Sequence, residues 1–79
     1  MAQKLKQDIS IGTTIRRLRN VAGLTQEQVV AQMQVNGCTL SRSAYSQIER
    51  GTYSIRISAL MTLRRIFGVE YADFFSDLP

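Results

Sequence analysis

The sequence predicts an all-α domain built from five helices. Three observations lead to this fold class. Apolar residues recur every three or four positions, capping residues and glycines divide the chain into segments of helical length, and no stretch alternates apolar and polar residues as a half-buried strand would. The length of 79 residues fits one small domain whose core is barely large enough to fold alone.

Residues 1–8 are predicted to be a flexible basic tail, and residues 9–79 the folded domain. The tail is polar, contains Lys4 and Lys6, and shows no periodic apolar face. We interpret it as a solubilising end in preference to an arm that grips nucleic acid, although the two lysines would add weak attraction to phosphate.

The first helix is expected to begin near Ile9 or Ser10 and to end at Ala22, with Gly23 as its stop. Its apolar residues recur at spacings of 4, 3 and 4 and predict one buried face, made of Ile11, Ile15, Leu18 and Ala22. The residues predicted to lie off this face are Thr14, Arg16, Arg17 and Asn20. Arg19 should border the face, because it follows Ile15 by one helical turn.

The second helix begins at a strong start signal. Thr25 is an N-cap residue, and Gln28 follows three positions later as its capping-box partner. The staple positions are held by Leu24 and Val29. The helix should cover about residues 26–36 and stop at Gly37. Its inward side chains are expected to be Val29, Val30 and Met33.

A short connector that Leu40 attaches to the core leads to the third helix, predicted over about residues 42–50. Ser41 is its N-cap and Gly51 its stop, while Leu40 and Tyr45 occupy the staple positions. The inward residues are predicted to be Tyr45 and Ile48, and the outward ones Arg42, Ser43, Ser46 and Gln47. Two capped helices joined in this way are typical of a helix-turn-helix, whose second helix enters the DNA major groove.

The last two helices follow an extended loop at residues 52–56. The fourth is predicted over about residues 57–67, before Gly68. Its apolar face is predicted to consist of Ile57, Leu60, Met61, Leu63, Ile66 and Phe67, with Arg64 and Arg65 on the outer side. The fifth is predicted over about residues 71–76, with at least one of Phe74 and Phe75 in the core.

Composition limits the possible functions. The net charge is +4 and eight of the ten basic residues are arginines, so nucleic acid is an allowed partner without being a required one. Cys38 is the only cysteine and histidine is absent, which excludes an intramolecular disulfide, a Cys/His metal site and Cys–His or Ser–His catalysis. Cys38 is interpreted as a buried or half-buried turn residue, because no charged neighbour in sequence activates it for redox chemistry.

No apolar run approaches the roughly 18 residues of a membrane span, and the N-terminus has no hydrophobic signal core. We therefore expect a cytoplasmic protein that is not an enzyme, needs no cofactor, has no membrane partner and presents no evident small-molecule site.

Four blocks of the sequence stand out together. They are IG..IR.LR at residues 11–19, GLTQE at 23–27, SRS..S.IERG at 41–51 and FGV...DFF at 67–75. Together they resemble the lambda-repressor-like (XRE or Cro-type) helix-turn-helix family over roughly residues 9–76. The chain departs from that family in two ways: it has extra residues around positions 34–39, and Val30 stands where a small residue is usual. The resemblance thus implies a longer second helix and a looser turn.

The resemblance also implies which residues meet DNA. Base contacts are expected from Arg42, Ser43 and Gln47. Arginine suits the O6 and N7 atoms of guanine and glutamine suits adenine, although a solvated polar face is the alternative interpretation. Phosphate contacts are expected from Gln26, Ser46, Thr52, Tyr53 and Arg56. Gln26 opens the second helix, where free amides and the helix dipole favour an anion, although it could equally be a plain capping residue.

Two structural pairings follow from the same resemblance and from the apolar C-terminus. Arg19 and Glu49 are expected to form a partly buried salt bridge, the alternative being two unrelated surface charges. The candidates for a dimer interface are Tyr71, Phe75 and Leu78. A two-fold dimer would place two recognition helices ~34 Å apart and imply a palindromic operator.

The leading hypothesis is a sequence-specific DNA-binding transcriptional regulator of a bacterium or phage, a repressor by family resemblance, with double-stranded DNA and a second copy of the chain as partners. The first alternative is an antitoxin-like protein-interaction module that binds DNA secondarily, which an additional unstructured tail would favour. An enzyme and a basic membrane-surface helix are further alternatives. The lack of paired carboxylates in one segment argues against the former, and the two capped helices with their compact core argue against the latter.

Overall fold

The computed structural model describes the backbone of residues 2–76 and the side chains of residues 11–76. Five helices follow one another without a strand in this part of the chain, which confirms the predicted all-α class. They are α1 (Ala2–Val21), α2 (Gln26–Val35), α3 (Arg42–Arg50), α4 (Ile57–Phe67) and α5 (Tyr71–Phe74). Contacts of α1 with α3 and α5, and of α2 with α3 and α4, build one core.

The first helix starts earlier than the sequence analysis predicts. The backbone of residues 2–8 is helical and continuous with the rest of α1, whereas a tail was expected there. The physical reason is local, since the segment contains neither proline nor glycine and consists largely of good helix formers.

The two helices of the predicted helix-turn-helix have the caps that the sequence predicts. The amide of Gln28 donates to Thr25 Oγ1 over 3.1 Å, and the Thr25 amide donates back to Gln28 Oε1 over 2.8 Å. The Ser41 hydroxyl accepts a 3.0 Å bond from the Ala44 amide at the start of α3. The first amides of a helix have no hydrogen-bond acceptor within the helix, and these capping bonds supply one. Both helix starts are therefore fixed by residues close to them in sequence.

The connector between α2 and α3 begins with a left-handed turn at Gly37, whose φ is 84°. The amides of Gly37 and Cys38 donate to the carbonyls of Gln34 and Met33 over 3.0 and 2.8 Å. This pair of bonds is a Schellman motif, which satisfies the last carbonyls of α2 and needs a residue that tolerates positive φ. Cys38 and Leu40 are half-buried against the core, as predicted.

The core is formed by all five helices. Its buried apolar residues are Ile15, Leu18, Val29, Met33, Tyr45, Ile48, Ala59, Leu63, Phe67 and Phe74. The rings of Phe67 and Phe74 lie 6.5 Å apart and join α4 to α5, so Phe74 is the core phenylalanine of the C-terminal pair. The helix α5 ends at Phe74, two residues earlier than predicted.

In α1 and α4 most of the predicted apolar face is buried, but each helix exposes some predicted residues and buries others instead. In α1, Thr14 is fully buried because this helix packs against both α3 and α5, whereas Ala22 lies beyond the helix end and is exposed. In α4, Ile57 and Met61 are exposed, and the helix is rotated so that Ala59 and Thr62 face inward. Thr62 can be buried because its hydroxyl donates to the Ser58 carbonyl over 3.0 Å.

Candidate nucleic-acid interface

The outer face of α3 presents the residues predicted to contact bases. Arg42 and Ser43 are exposed at its N-terminal end, and Gln47 lies one turn further along, half-buried. Ser46, a predicted phosphate contact, is also half-buried. The inner face carries Tyr45, so α3 is held by its buried side while its polar side remains accessible.

A close contact between backbones holds α3 against α1. A Cβ atom built on Gly12 would lie 2.5 Å from the carbonyl oxygen of Ile48 and 2.7 Å from that of Glu49. Such distances are far inside van der Waals contact, so only glycine allows the two helices to approach this closely. This role of Gly12 was not predicted from the sequence. A glycine inside a helical pattern is the signal that could have drawn attention to it.

The ion pair between Arg19 and Glu49 joins the same two helices. Arg19 Nε donates to Glu49 Oε2 over 2.7 Å, and Nη2 donates to Oε1 over 3.2 Å. Arg19 Nη1 also donates to the Leu24 carbonyl over 2.9 Å, while Gln26 Nε2 donates to Glu49 Oε1 over 3.0 Å. We call these four residues the Glu49 network, since all but one of the bonds end on its carboxylate.

The surroundings of Glu49 set its charge. Burial of the side chain opposes ionisation and raises its pKa, but the hydrogen bonds from Arg19 and Gln26 lower it more, so the pKa lies below its ordinary value of 4.5. The same pairing raises the pKa of Arg19. Glu49 is therefore an anion at neutral pH, with its charge balanced inside the fold.

This pKa shift predicts acid sensitivity. Because the pKa of Glu49 is lower in the folded state, the pair contributes stability above the unfolded pKa near 4.5 and loses it as pH falls through the folded value. Thermal unfolding between pH 7 and pH 3 should show wild type losing more stability than Glu49→Gln, the two curves converging at the acid end. Parallel curves would mean that Glu49 does not titrate differently on folding.

Tyr45 lies beneath this network and is fully buried. Its hydroxyl makes no hydrogen bond among the described residues. Burial raises its pKa far above the usual value, and the negative charge of Glu49 raises it further, so the phenol stays neutral. The staple interpretation placed Tyr45 correctly in the core but gave no sign that its hydroxyl would be buried with it.

The first turn of α2 lies beside α3 at two points. Gln26 is half-buried and its amide is held by Glu49, as described above. The next residue, Glu27, faces the start of α3, where its Oε1 lies 3.8 Å from Arg42 Nη1. Both members of this second pair are well exposed. A role for Glu27 was not predicted from the sequence.

The remaining predicted phosphate contacts lie in the loop between α3 and α4. Thr52 is exposed and its hydroxyl donates to the Gln47 carbonyl over 3.3 Å, while Tyr53 is half-exposed and Arg56 exposed. A groove of about 440 Å³ separates this loop from the connector. Its lining residues are Gly37, Cys38, Thr39, Leu40, Ile48, Tyr53, Ser54, Arg56, Ser58 and Ala59.

The candidates for a dimer interface lie at the C-terminal end of the domain. Tyr71 and Phe75 are each 41% exposed, and the guanidinium of Arg64 lies 5.0 Å from the centre of the Tyr71 ring. Leu78 lies outside the described residues.

Within residues 2–76, no helix is long and apolar enough to cross a membrane. The side chains that the structure describes also include no group of three or more His, Cys, Asp or Glu residues that could hold a metal ion.

Comparison with known proteins agrees with this architecture. Neither curated proteins nor solved structures give a match to the chain. The family model described as "Helix-turn-helix domain" matches residues 10–73, from the middle of α1 to α5. A helix-turn-helix domain suggests DNA as the partner. Since the match spans most of its length, the chain belongs to the helix-turn-helix domain family.

Proposed function

We propose that this protein is a sequence-specific DNA-binding transcriptional regulator of the lambda-repressor-like (XRE) type, a cytoplasmic repressor of bacterial or phage origin. The observation that carries the proposal is the construction of α3. Its inner side is held by Gly12 and the Glu49 network, and its outer side presents Arg42 and Ser43 to solvent. A rigidly seated helix with an accessible polar face suits insertion into a major groove.

Base recognition is assigned to the outer side of α3. Arg42 would donate to guanine, Gln47 would pair with adenine, and Ser43 would add a weaker contact. Gln47 is half-buried, which limits its reach compared with Arg42. We therefore give Arg42 the largest share of the sequence discrimination.

Phosphate contacts are assigned to residues on both sides of α3. An amide NH2 group carries two hydrogens, and the contact with Glu49 uses one of those on Gln26. The other, with the free backbone amides of the first turn of α2, suits a phosphate oxygen. Ser46, Thr52, Tyr53 and Arg56 would contact the backbone on the other side. Such contacts fix the register of the domain on DNA and carry no sequence information.

The proposed repressor works as a homodimer on a palindromic operator. The support is the pair of half-exposed aromatic rings, Tyr71 and Phe75, one helical turn apart at the C-terminal end. Two copies related by a two-fold axis would present their α3 helices to successive major grooves, with half-sites ~34 Å apart. A selected site that contains one half-site without its inverted copy would argue against the dimer.

Selection of duplexes from a random library, followed by binding measurements at several salt concentrations, tests the proposal. Wild type should select one sequence, and log affinity should fall linearly with log salt. Arg42→Ala should weaken binding to that sequence by about 1–3 kcal/mol and relax the preference at one base pair.

Arg65→Ala is the matched control, because it removes the same charge from an exposed position of α4. It should preserve the sequence preference and change affinity much less. Failure of wild type to select any sequence would overturn the proposal and favour the protein-interaction alternative.

A further inference from the structure

An ion pair between α2 and α3 joins Glu27 to Arg42, the residue to which most of the base recognition is assigned. Glu27 Oε1 lies 3.8 Å from Arg42 Nη1, and the two side chains are 75% and 61% exposed. Ion pairs this open to water contribute little to folding stability. What the pair does provide is a negative charge beside the Arg42 guanidinium.

The position of Glu27 is unusual among the acidic side chains of residues 11–76. Glu49 is buried and neutralised by Arg19, and Glu70 and Asp73 cap α5. Glu27 is thus the acidic side chain of this part of the chain that is exposed next to the proposed reading face. A carboxylate there would face the phosphates of any duplex bound to α3, which is unfavourable for affinity.

An unfavourable charge at a binding face can improve discrimination. An arginine has five N–H donors, so a guanidinium whose Nη1 faces Glu27 can still donate from its remaining nitrogens to guanine O6 and N7. An Arg42 that turns to a phosphate instead leaves the Glu27 carboxylate without its partner and close to the negative backbone. Arg42 can contact DNA through a phosphate or through a base. The charge of Glu27 disfavours the phosphate contact more than the base contact.

We infer that Glu27 is a specificity-determining residue, which positions Arg42 for base contact and weakens binding to non-cognate DNA. This inference rests on the proposed DNA-binding function. Glu27 does not contact a base directly. It acts through Arg42 and through its own charge.

The test compares wild type and Glu27→Gln on the selected duplex and on a random duplex of equal length. Glu27→Gln should bind the random duplex more tightly and the selected duplex no better, so that the ratio of the two affinities falls roughly tenfold. In an Arg42→Ala background the same substitution should leave the ratio unchanged, which a double-mutant cycle measures. The melting temperature of Glu27→Gln should stay close to that of wild type.

Glu70→Gln is the matched control, since it changes the charge equally at the start of α5, away from the α2–α3 pair. It should leave the ratio unchanged. If Glu27→Gln strengthens or weakens both complexes equally, the inference is wrong while the proposed function stands. If wild type selects no sequence, the proposed function is overturned and this inference with it.

Discussion

Replacement of Glu49 by alanine is expected to lower the free energy of unfolding by roughly 3 kcal/mol and the melting temperature by more than about 10 °C. The carboxylate is the shared acceptor for Arg19 and Gln26, and its removal leaves a guanidinium whose side chain is only 12% exposed without its partner. The expected loss lies at the lower end for buried pairs, because Arg19 keeps some access to water and its bond to the Leu24 carbonyl.

Thermal and urea unfolding of Glu49→Ala and three further variants would separate the ion pair from general effects. Arg19→Ala should be about as harmful as Glu49→Ala, and the double variant less harmful than the sum of the two, because neither charge is then stranded. Glu27→Ala removes an exposed carboxylate and should change stability by no more than about 0.5 kcal/mol. An unchanged melting point of Glu49→Ala would refute the structural role of the pair.

Replacement of Gly12 by alanine should destabilise the domain by about 2 kcal/mol, although alanine favours a helix by about 1 kcal/mol over glycine. The new methyl group would overlap the carbonyl oxygens of Ile48 and Glu49, which belong to the backbone and cannot move aside as a flexible side chain can. The two helices must therefore separate. Since α3 carries the proposed reading face, DNA affinity should fall together with stability.

Arg16→Ala serves as the control for Gly12→Ala, because it introduces the same residue one turn later on the exposed side of α1. Its unfolding free energy should stay within about 0.5 kcal/mol of that of wild type. Gly12→Val, with a larger side chain at the contact, should be less stable than Gly12→Ala. A melting temperature of Gly12→Ala at or above that of wild type would mean that the helices are not in close contact.

Local signals were sufficient to predict most helix boundaries. The capping residues Thr25 and Ser41 mark the starts of α2 and α3, and glycines mark the helix ends, because these bonds join residues close in sequence. The start of α1 was placed too late for the opposite reason. The sequence of residues 1–8 offers no capping residue before them and no periodic apolar pattern, so helix propensity was the only signal there.

Features that depend on packing could not be predicted in the same way. The rotation of α4 that exposes Ile57 and buries Ala59 depends on how the helix meets its neighbours, and apolar spacing fits either face. The role of Gly12 depends on the register of α1 against α3, and the proximity of Glu27 to Arg42 depends on the angle between α2 and α3. None of these three is a property of a single segment.

The capping of α2 and α3 has a consequence for how this motif can evolve. Each helix is closed by its own residues, with the Schellman turn at Gly37 ending one and Ser41 starting the next. Thr39 and Leu40, which lie between these two caps, close neither helix and have only to span the gap between them. Loop-closure entropy rises by only about 0.6 kcal/mol for each doubling of length, so insertions here are thermodynamically inexpensive. Related sequences can thus differ in the length of this turn and still present α3 in the same way.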